Sequence, residues 1–237
     1  MRPTIVLVHG AFAESSSWDP VVDRLLEAGH PVIAAANPLR GVAADAASVS
    51  DHIRSVEGPI VLVGHSYGGA VITNVDPDAG EIVGLVYVAA FAPAPGDSCF
   101  ELSAVFPGST LGDALQAVPR SDGTTDLTIV PERFHEQFCA DVPAPQAARM
   151  AATQRPVTQE ALVEPSGERP LWKELPSWFV FGEEDRNIPK AVEHYMAERA
   201  GAHRTIEIPG ASHAVPVSRP VETAELILEA AALRAAA

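Results

Sequence analysis

The sequence predicts an α/β fold: one six-stranded, mostly parallel sheet with helices on both faces and a small helical cap inserted into it. Two observations carry this prediction. Short apolar segments rich in β-branched residues alternate with helical segments along the chain, a pattern typical of parallel sheets covered on both faces. After the fourth such segment the alternation stops in a proline-rich stretch, and it then resumes towards the end of the chain.

Each predicted strand is a short apolar run, and the helices between the strands tend to end at glycine or proline. The predicted strands are Thr4–Val8, Pro31–Ala35, Ile60–Val63, Ile82–Ala90, Ser177–Phe181 and Arg204–Ile208. The predicted helices of the core are Trp18–Ala28, Asp45–Val56, Gly69–Val75, Pro189–Ala200 and Arg219–Leu233. Because the chain length and the 47% apolar content suit one hydrophobic core, we expect a single domain over residues 1–237.

Residues 93–172, called the cap below, are predicted to form a small helical insertion within that domain. No strand is expected between Phe91 and Trp172, where prolines recur, and short helices fit Glu132–Ala140 and Pro145–Thr153. A structureless loop of this length is uncommon inside a compact domain. We expect most apolar side chains of the cap to pack it onto the core and a few to line a substrate pocket.

The charge balance excludes several classes of partner. The chain has 16 basic and 31 acidic side chains, a net charge of −15, so neither nucleic acid nor an anionic membrane surface is expected to bind it. No apolar run approaches the ~18 residues of a membrane-spanning helix, and the first ten residues do not resemble a signal peptide. The protein is therefore expected in the cytoplasm, with Cys99 and Cys139 as free thiols in or near the core.

The segment after the third predicted strand indicates a catalytic nucleophile. The sequence G-H-S-Y-G at residues 64–68 lies between a buried strand and a helix, which is the nucleophile-elbow pattern G-x-S-x-G. Gly64 and Gly68 have no side chains, so the strand and the helix can approach closely while Ser66 projects from the turn. The alternative is a glycine-rich turn that merely contains a serine, and the flanking strand and helix disfavour it.

A serine hydroxyl needs a general base and an acid that orients the base. In this architecture both follow the serine, first the acid and then the histidine. His213, in the loop after the last strand, is the predicted base, and Asp185, in the loop after the preceding strand, is the predicted acid. Glu183 and Glu184 are the alternative acids in the same loop.

Two backbone N–H groups are expected to bind the oxyanion that forms on the substrate carbonyl. One belongs to Tyr67, the residue after the nucleophile, and the other to Ala11 in the loop after the first strand, with Phe12 as the alternative donor. His9 is expected to shape that loop, and His65 is expected to support the elbow turn.

Three aromatic residues are predicted to contact the substrate: Phe12 from the loop after the first strand, and Phe134 and Phe138 from the cap. No metal site is predicted, because neither paired cysteines nor a His-x-x-x-His spacing is present. No cofactor is predicted either, since the stretch Gly64–Gly69 lacks the lysine of a phosphate-binding loop and no dinucleotide fingerprint follows the first strand.

The motifs, and the order in which they follow one another along the chain, resemble those of the α/β-hydrolase superfamily. The resemblance is carried by V-H-G-A-F at 8–12, G-H-S-Y-G-G at 64–69, G-E-E-D at 182–185 and S-H at 212–213. It is strongest to the compact branch that holds small-molecule carboxylesterases, plant methylesterases and hydroxynitrile lyases. The resemblance implies six parallel strands in the order second, first, third, fourth, fifth, sixth, with the elbow strand at the centre.

The prediction that follows is a carboxylesterase-type serine hydrolase that cleaves esters of small, fairly apolar molecules through an acyl-enzyme. A hydroxynitrile lyase is disfavoured because Ala214 follows His213 where those lyases have a lysine. Ser66 disfavours the dehalogenases and epoxide hydrolases of the superfamily, which have an aspartate there. A receptor for a small ligand on the same scaffold, and lyase or perhydrolase chemistry, are the alternatives. The expected partner is a small-molecule ester, and a homodimer is left open.

Overall fold

The computed structural model of the protein describes residues 1–233, so residues 234–237 of the predicted domain lie outside the described residues. The strands are β1 (Thr4–Val8), β2 (Val32–Ala35), β3 (Pro59–Ser66), β4 (Glu81–Ala90), β5 (Leu115–Pro119), β6 (Thr125–Ile129), β7 (Val157–Thr158), β8 (Ser177–Gly182) and β9 (Arg204–Ile208). The α-helices are α1 (Asp19–Glu27), α2 (Val42–Ile53), α3 (Tyr67–Thr73), α4 (Cys99–Ser103), α5 (Pro131–Phe138), α6 (Ala144–Thr153), α7 (Gln159–Val163), α8 (Lys190–Arg199), α9 (Val215–Ser218) and α10 (Pro220–Ala232). Short 3₁₀ segments occur at Ser15–Trp18, Pro77–Ala79, Leu111–Ala114 and Leu171–Lys173.

Six strands form one sheet in the order β2-β1-β3-β4-β8-β9, which is the order that the resemblance implied. Each neighbouring pair in this sheet is parallel. The central strands β1, β3 and β4 are almost entirely buried, as expected of parallel strands that are covered on both faces. The elbow strand β3 therefore lies at the centre of the sheet, and the predicted fold class is confirmed.

Helices cover both faces of this sheet. Helix α1 packs against α10, and α2 packs against α3. The connection through α1 runs towards one edge of the sheet and the connection through α3 towards the other, so right-handed crossovers put these helices on opposite faces. Within residues 1–233, none of the helices has the length and apolar character needed to cross a membrane.

The cap contains strands as well as helices. The two predicted cap helices correspond to α5 and α6, but β5, β6 and β7 also form an antiparallel sheet, so the expectation of a cap without strands is wrong. The dipeptide Asp122-Gly123 was the missed signal, because it forms a tight turn between two strands. The turn is closed by the Arg120 N–H, which donates to the Thr124 carbonyl at 2.9 Å. Pro119 is tolerated because it ends an edge strand.

The two ends of the cap are fastened to each other and to helix α8. The Trp172 indole N–H donates to the Pro93 carbonyl at 2.8 Å. The Arg199 guanidinium lies over the Trp172 ring and donates to the Ala92 carbonyl at 2.7 Å and to Asp97 Oδ2 at 2.8 Å. These contacts fix where the cap leaves and rejoins the core.

Candidate active site

Ser66 lies at the junction of β3 and α3 in a strained conformation. Its φ of 55° and ψ of −124° are rare for a residue with a side chain. A side chain at Gly64 would place its Cβ 2.5 Å from the Gly68 carbonyl oxygen, and one at Gly68 would place it 2.3 Å from the Val8 carbonyl oxygen. Both positions of the motif therefore require glycine. The Tyr67 N–H is the first amide of α3 and has no acceptor within that helix.

The loops after β8 and β9 bring the predicted acid and the predicted base into contact. His213 Nδ1 lies 2.6 Å from Asp185 Oδ2, and both side chains are fully buried. Asp185 Oδ1 accepts hydrogen bonds from the N–H groups of Asn187 at 2.7 Å and Ile188 at 2.9 Å. The carboxylate orientation is thereby fixed. We assign the imidazole proton to Nδ1, facing Asp185, which leaves the Nε2 lone pair available.

Ser66 and His213 are brought to the same site without a direct hydrogen bond. His213 Nε2 is buried and has no hydrogen-bond partner in residues 1–233, Ser66 included. The elbow and the loop after β9 are linked by His65, the residue before Ser66. Its Nε2 donates to the His213 carbonyl at 3.0 Å. In unliganded hydrolases the serine–histidine bond is often long and tightens when substrate binds.

Aromatic rings surround the imidazole of His213. The ring of His65 lies 4.8 Å from it and the ring of Phe138 lies 4.9 Å from it, the second edge-on. Phe134, one turn earlier in α5, stacks on Phe138 at 5.0 Å and is fully buried. Burial lowers the pKa of His65 well below its ordinary value, so this histidine is neutral. Its contacts agree with the prediction that it supports the elbow.

The loop after β1 runs directly against Ser66, the predicted nucleophile. A Cβ at Gly10 would lie 2.6 Å from the Ser66 Cβ, so this loop can approach Ser66 only with glycine at that position. The Phe12 N–H already donates to the Arg155 carbonyl of the cap at 3.1 Å. The Ala11 N–H has no acceptor among the residues that the structure describes. Of the two amides considered from the sequence, Ala11 therefore has the uncommitted one.

His9 holds this loop against the loop after β2. The fully buried ring accepts a hydrogen bond at Nε2 from the Asn37 N–H at 3.0 Å, while Nδ1 lies 3.0 Å from the Gly10 carbonyl oxygen. The Asn37 side-chain amide donates to the His9 carbonyl at 2.9 Å. Burial lowers the pKa of His9 to about 4, so the ring is neutral at pH 7. It shapes the loop, as the sequence predicted.

Polar residues of the cap reach the loops that hold the predicted acid and base, and sequence reasoning missed them. Gln137 Nε2 donates to the Arg186 carbonyl at 2.9 Å and to Asn187 Oδ1 at 2.8 Å, in the loop that holds the predicted acid. Asp141 accepts a hydrogen bond from the Ser212 hydroxyl, next to the predicted base. The partners of each contact are far apart in sequence, so no local pattern indicates them.

A pocket of about 150 Å³ opens between the loop after β1, helix α6 and helix α9. Phe12, Met150 and Val217 form apolar parts of its wall, and Glu14 and Gln154 form polar parts. Among the predicted substrate contacts, Phe12 thus lines this pocket, whereas Phe138 contacts the imidazole and Phe134 stacks on Phe138. No group of three histidine, cysteine or acidic side chains within residues 1–233 is arranged to hold a metal ion.

Comparison with known proteins identifies the family. A family model described as the alpha/beta hydrolase family matches residues 5–226, nearly the whole chain. The chain belongs to the alpha/beta hydrolase family. A pyrethroid hydrolase of Sphingobium wenxiniae is 30% identical to it over 249 positions, covering 95% of this chain and 86% of the relative. A carbendazim hydrolyzing esterase of Nocardioides sp. is 38% identical over 110 residues, which is 41% of this chain and 46% of that one.

Solved structures agree with this assignment. The crystal structure of polyneuridine aldehyde esterase superposes on the chain with a TM-score of 0.81 at 20% identity, covering 97% of this chain and 99% of the other. A pyrethroid hydrolase from Sphingobium faniae superposes with a TM-score of 0.77 at 25% identity, covering 99% of each chain. The first likeness shows the fold alone. Together with the sequence relatives, the second confirms an alpha/beta hydrolase of the carboxylesterase type.

A buried carboxyl group that the sequence did not indicate interacts with Asp185 in this hydrolase. Glu193, in helix α8, is fully buried and interacts with the Ala90 backbone and the Asp185 carboxylate. Neither of its oxygens makes a full hydrogen bond within the described chain. Burial, and then the charge of Asp185, raise the pKa of Glu193 well above its ordinary value. The folded protein therefore holds this proton at pH values where the unfolded chain releases it.

We expect Glu193→Gln to stabilise the protein at neutral and alkaline pH. Above about pH 4.5, the ordinary pKa of glutamic acid, the unfolded wild-type chain gains stability by ionising Glu193, whereas glutamine cannot ionise. Thermal unfolding should show a raised midpoint at pH 8, and in a chain of this size each 1 kcal/mol gained raises it by about 2–4 °C. The gain should shrink as pH falls towards 4.5. Glu198→Gln, exposed on the same helix, is the control, and equal gains at every pH would contradict the prediction.

Proposed function

We propose that this hydrolase cleaves carboxylic esters of small, fairly apolar molecules, with Ser66 as nucleophile, His213 as general base and Asp185 as orienting acid. One observation carries the proposal: the buried 2.6 Å contact between His213 Nδ1 and Asp185 Oδ2 leaves Nε2 of the same ring without a partner. An imidazole held in this way can accept a proton only at Nε2. The strained elbow presents the serine hydroxyl in the same part of the fold.

The proposed reaction has two halves. Ser66 Oγ attacks the ester carbonyl while His213 Nε2 takes the hydroxyl proton, and the N–H groups of Ala11 and Tyr67 bind the resulting oxyanion. When the tetrahedral intermediate collapses, the bond to the alcohol breaks and His213 gives the proton to the departing oxygen. Water then attacks the acyl-enzyme with His213 again acting as base, which releases the acid and regenerates Ser66.

The walls around the imidazole support the apolar substrate class. The Phe138 ring lies 4.9 Å from the His213 imidazole in a T-shaped arrangement, and Phe12, two residues after the Gly10 that abuts Ser66, lines the pocket of about 150 Å³. The names of the pyrethroid hydrolase and the carbendazim hydrolyzing esterase also favour small organic substrates. We propose direct substrate contact for Phe12 and Phe138. Substrate contact by Phe134, which stacks on Phe138, stays a prediction.

The cytoplasmic location also stays a prediction, with two buried free thiols in its favour.

A panel of p-nitrophenyl esters with acyl chains from acetate to decanoate tests this function. We expect turnover with a preference for one chain length, and we expect a fluorophosphonate to add once per chain, as seen by intact mass spectrometry. The adduct should be absent from the Ser66→Ala variant. No turnover and no adduct in the wild type would favour a receptor, whereas turnover of cyanohydrins, or of peroxide with an acid, in place of ester hydrolysis would favour a lyase or a perhydrolase.

A further inference from the structure

The side chain of Tyr67 is held by a buried carboxylate that the proposed reaction does not use. Its phenol Oη donates to Asp45 Oδ2 at 2.8 Å, and Tyr67 and Asp45 are 1% and 0% exposed. The residue that supplies one proposed oxyanion amide is therefore bonded, through its own side chain, to helix α2. This contact lies outside the proposed proton-transfer path.

Asp45 also accepts hydrogen bonds from nearby backbone amides. Its oxygens accept the Arg40 N–H at 3.1 Å each and the Gly41 N–H at 3.5 Å, which satisfies amides at the start of α2. This helix-capping role accounts for an acid near the start of α2, but it does not require the bond to Tyr67. Only the hydrogen bond to the phenol connects Asp45 to the elbow. A test must therefore separate this hydrogen bond from those that Asp45 accepts from the backbone amides.

The loop before α2, which contains Leu39 and Arg40, is attached to the cap. The Arg40 guanidinium pairs with Asp126 of strand β6, and the Leu39 carbonyl accepts the Thr158 N–H of strand β7 at 3.1 Å. The carboxylate of Asp45 is thus held between the elbow on one side and a loop braced by the cap on the other. A group fixed from both sides can define the position of the phenol, and so of the Tyr67 backbone.

We propose that Asp45 is a positioning residue for the oxyanion site: by binding the Tyr67 phenol it fixes the Tyr67 N–H on the developing oxyanion. This inference rests on the proposed function. Its physical basis is that oxyanion donors act only within a few tenths of an ångström of the productive geometry. A looser Tyr67 still allows the substrate to bind, but it stabilises the transition state less.

Tyr67→Phe tests the inference, because it removes the phenol hydroxyl and keeps both the backbone N–H and the amide bonds of Asp45. We expect kcat for the preferred p-nitrophenyl ester to fall about 10–100-fold with KM within about twofold, a part of the 10²–10³-fold cost of losing a whole donor. A trifluoromethyl ketone that adds to Ser66 should lose affinity by a similar factor. The matched control is Tyr87→Phe, since Tyr87 is equally buried and its hydroxyl lies 2.8 Å from Thr73 Oγ1, within the core.

Asp45→Asn and the double variant with Tyr67→Phe complete the cycle. We expect the double variant to lose no more turnover than the worse single variant, because Tyr67→Phe already removes the phenol hydrogen bond on which Asp45→Asn acts. If Asp45→Asn does not fold, the Tyr67→Phe measurement decides alone. The inference is overturned if Tyr67→Phe, with an unchanged circular dichroism spectrum, keeps wild-type kcat, loses no more than Tyr87→Phe, or raises KM alone. A wild-type protein without turnover or phosphonate adduct overturns the proposed function as well, so the two failures are distinguishable.

Discussion

Replacing Ser66 with alanine should lower ester turnover by about 10⁴–10⁶-fold while the protein stays folded. The variant removes the attacking oxygen, so no acyl-enzyme can form, and what remains is the modest effect of substrate binding and the oxyanion donors. Alanine adds no atoms at a position where the backbone already has a φ of 55° and where Gly10 lies against the side chain. Steady-state kinetics, with far-ultraviolet circular dichroism on the same sample, measures both parts of this prediction.

Ser55→Ala is the matched control, because Ser55 is exposed and its hydroxyl donates to the backbone carbonyl of His52, away from the site. It should keep full activity. Ser66→Ala combined with His213→Ala should be no less active than either single variant, since the two groups act as one unit. A folded Ser66→Ala protein with more than a few per cent of wild-type activity would contradict the nucleophile assignment.

The core was predictable because its signals are local. β1 and β9 were predicted with the bounds that the structure has, since each is a short apolar or alternating run between clear turn signals. β3 continues to Ser66, beyond the predicted end at Val63, because Gly64 and His65 still pair with β4. The order of the motifs fixed which loops hold the candidate residues, since loops at the carboxyl ends of neighbouring parallel strands meet at one edge of the sheet.

Helix α2 shows where local signals mislead. The amphipathic pattern of this segment predicted a helix that starts at Asp45. The helix instead begins at Val42, and Asp45 reaches back to the amides before it while also binding Tyr67. The second partner is 22 residues away in sequence, and no pattern within α2 indicates it.

The cap and the buried polar groups were the least predictable parts. The hairpin of β5 and β6 was hidden by flanking prolines, and one of its contacts with the core, the pair between Arg40 and Asp126, joins residues far apart in sequence. Glu193 has the spacing of an ordinary helix residue, and only the tertiary fold buries it beside Asp185. Such contacts form because distant segments pack together, so no local pattern in the sequence predicts them.

Asp185→Asn should lower kcat by about 10⁴-fold without disturbing the loop. The two N–H groups of Asn187 and Ile188 require an oxygen facing them, so the new side chain keeps its Oδ1 there. Its NH₂ group must then face His213 Nδ1. In the wild type this nitrogen lies 2.6 Å from Asp185 Oδ2 and carries the imidazole proton. The ring can accept that hydrogen bond only by carrying its proton on Nε2, and in this tautomer it cannot take the proton of Ser66.

Two measurements separate this tautomer effect from a simple loss of structure. The rate of fluorophosphonate labelling should fall along with kcat, because activating Ser66 needs the same proton transfer, while the thermal midpoint stays within a few degrees of wild type. Glu184→Gln, exposed in the same loop, should change neither rate. If Asp185→Asn lost less than tenfold, the imidazole would have to be oriented by another group, and the carboxyl of Glu193 beside Asp185 would be the next to replace.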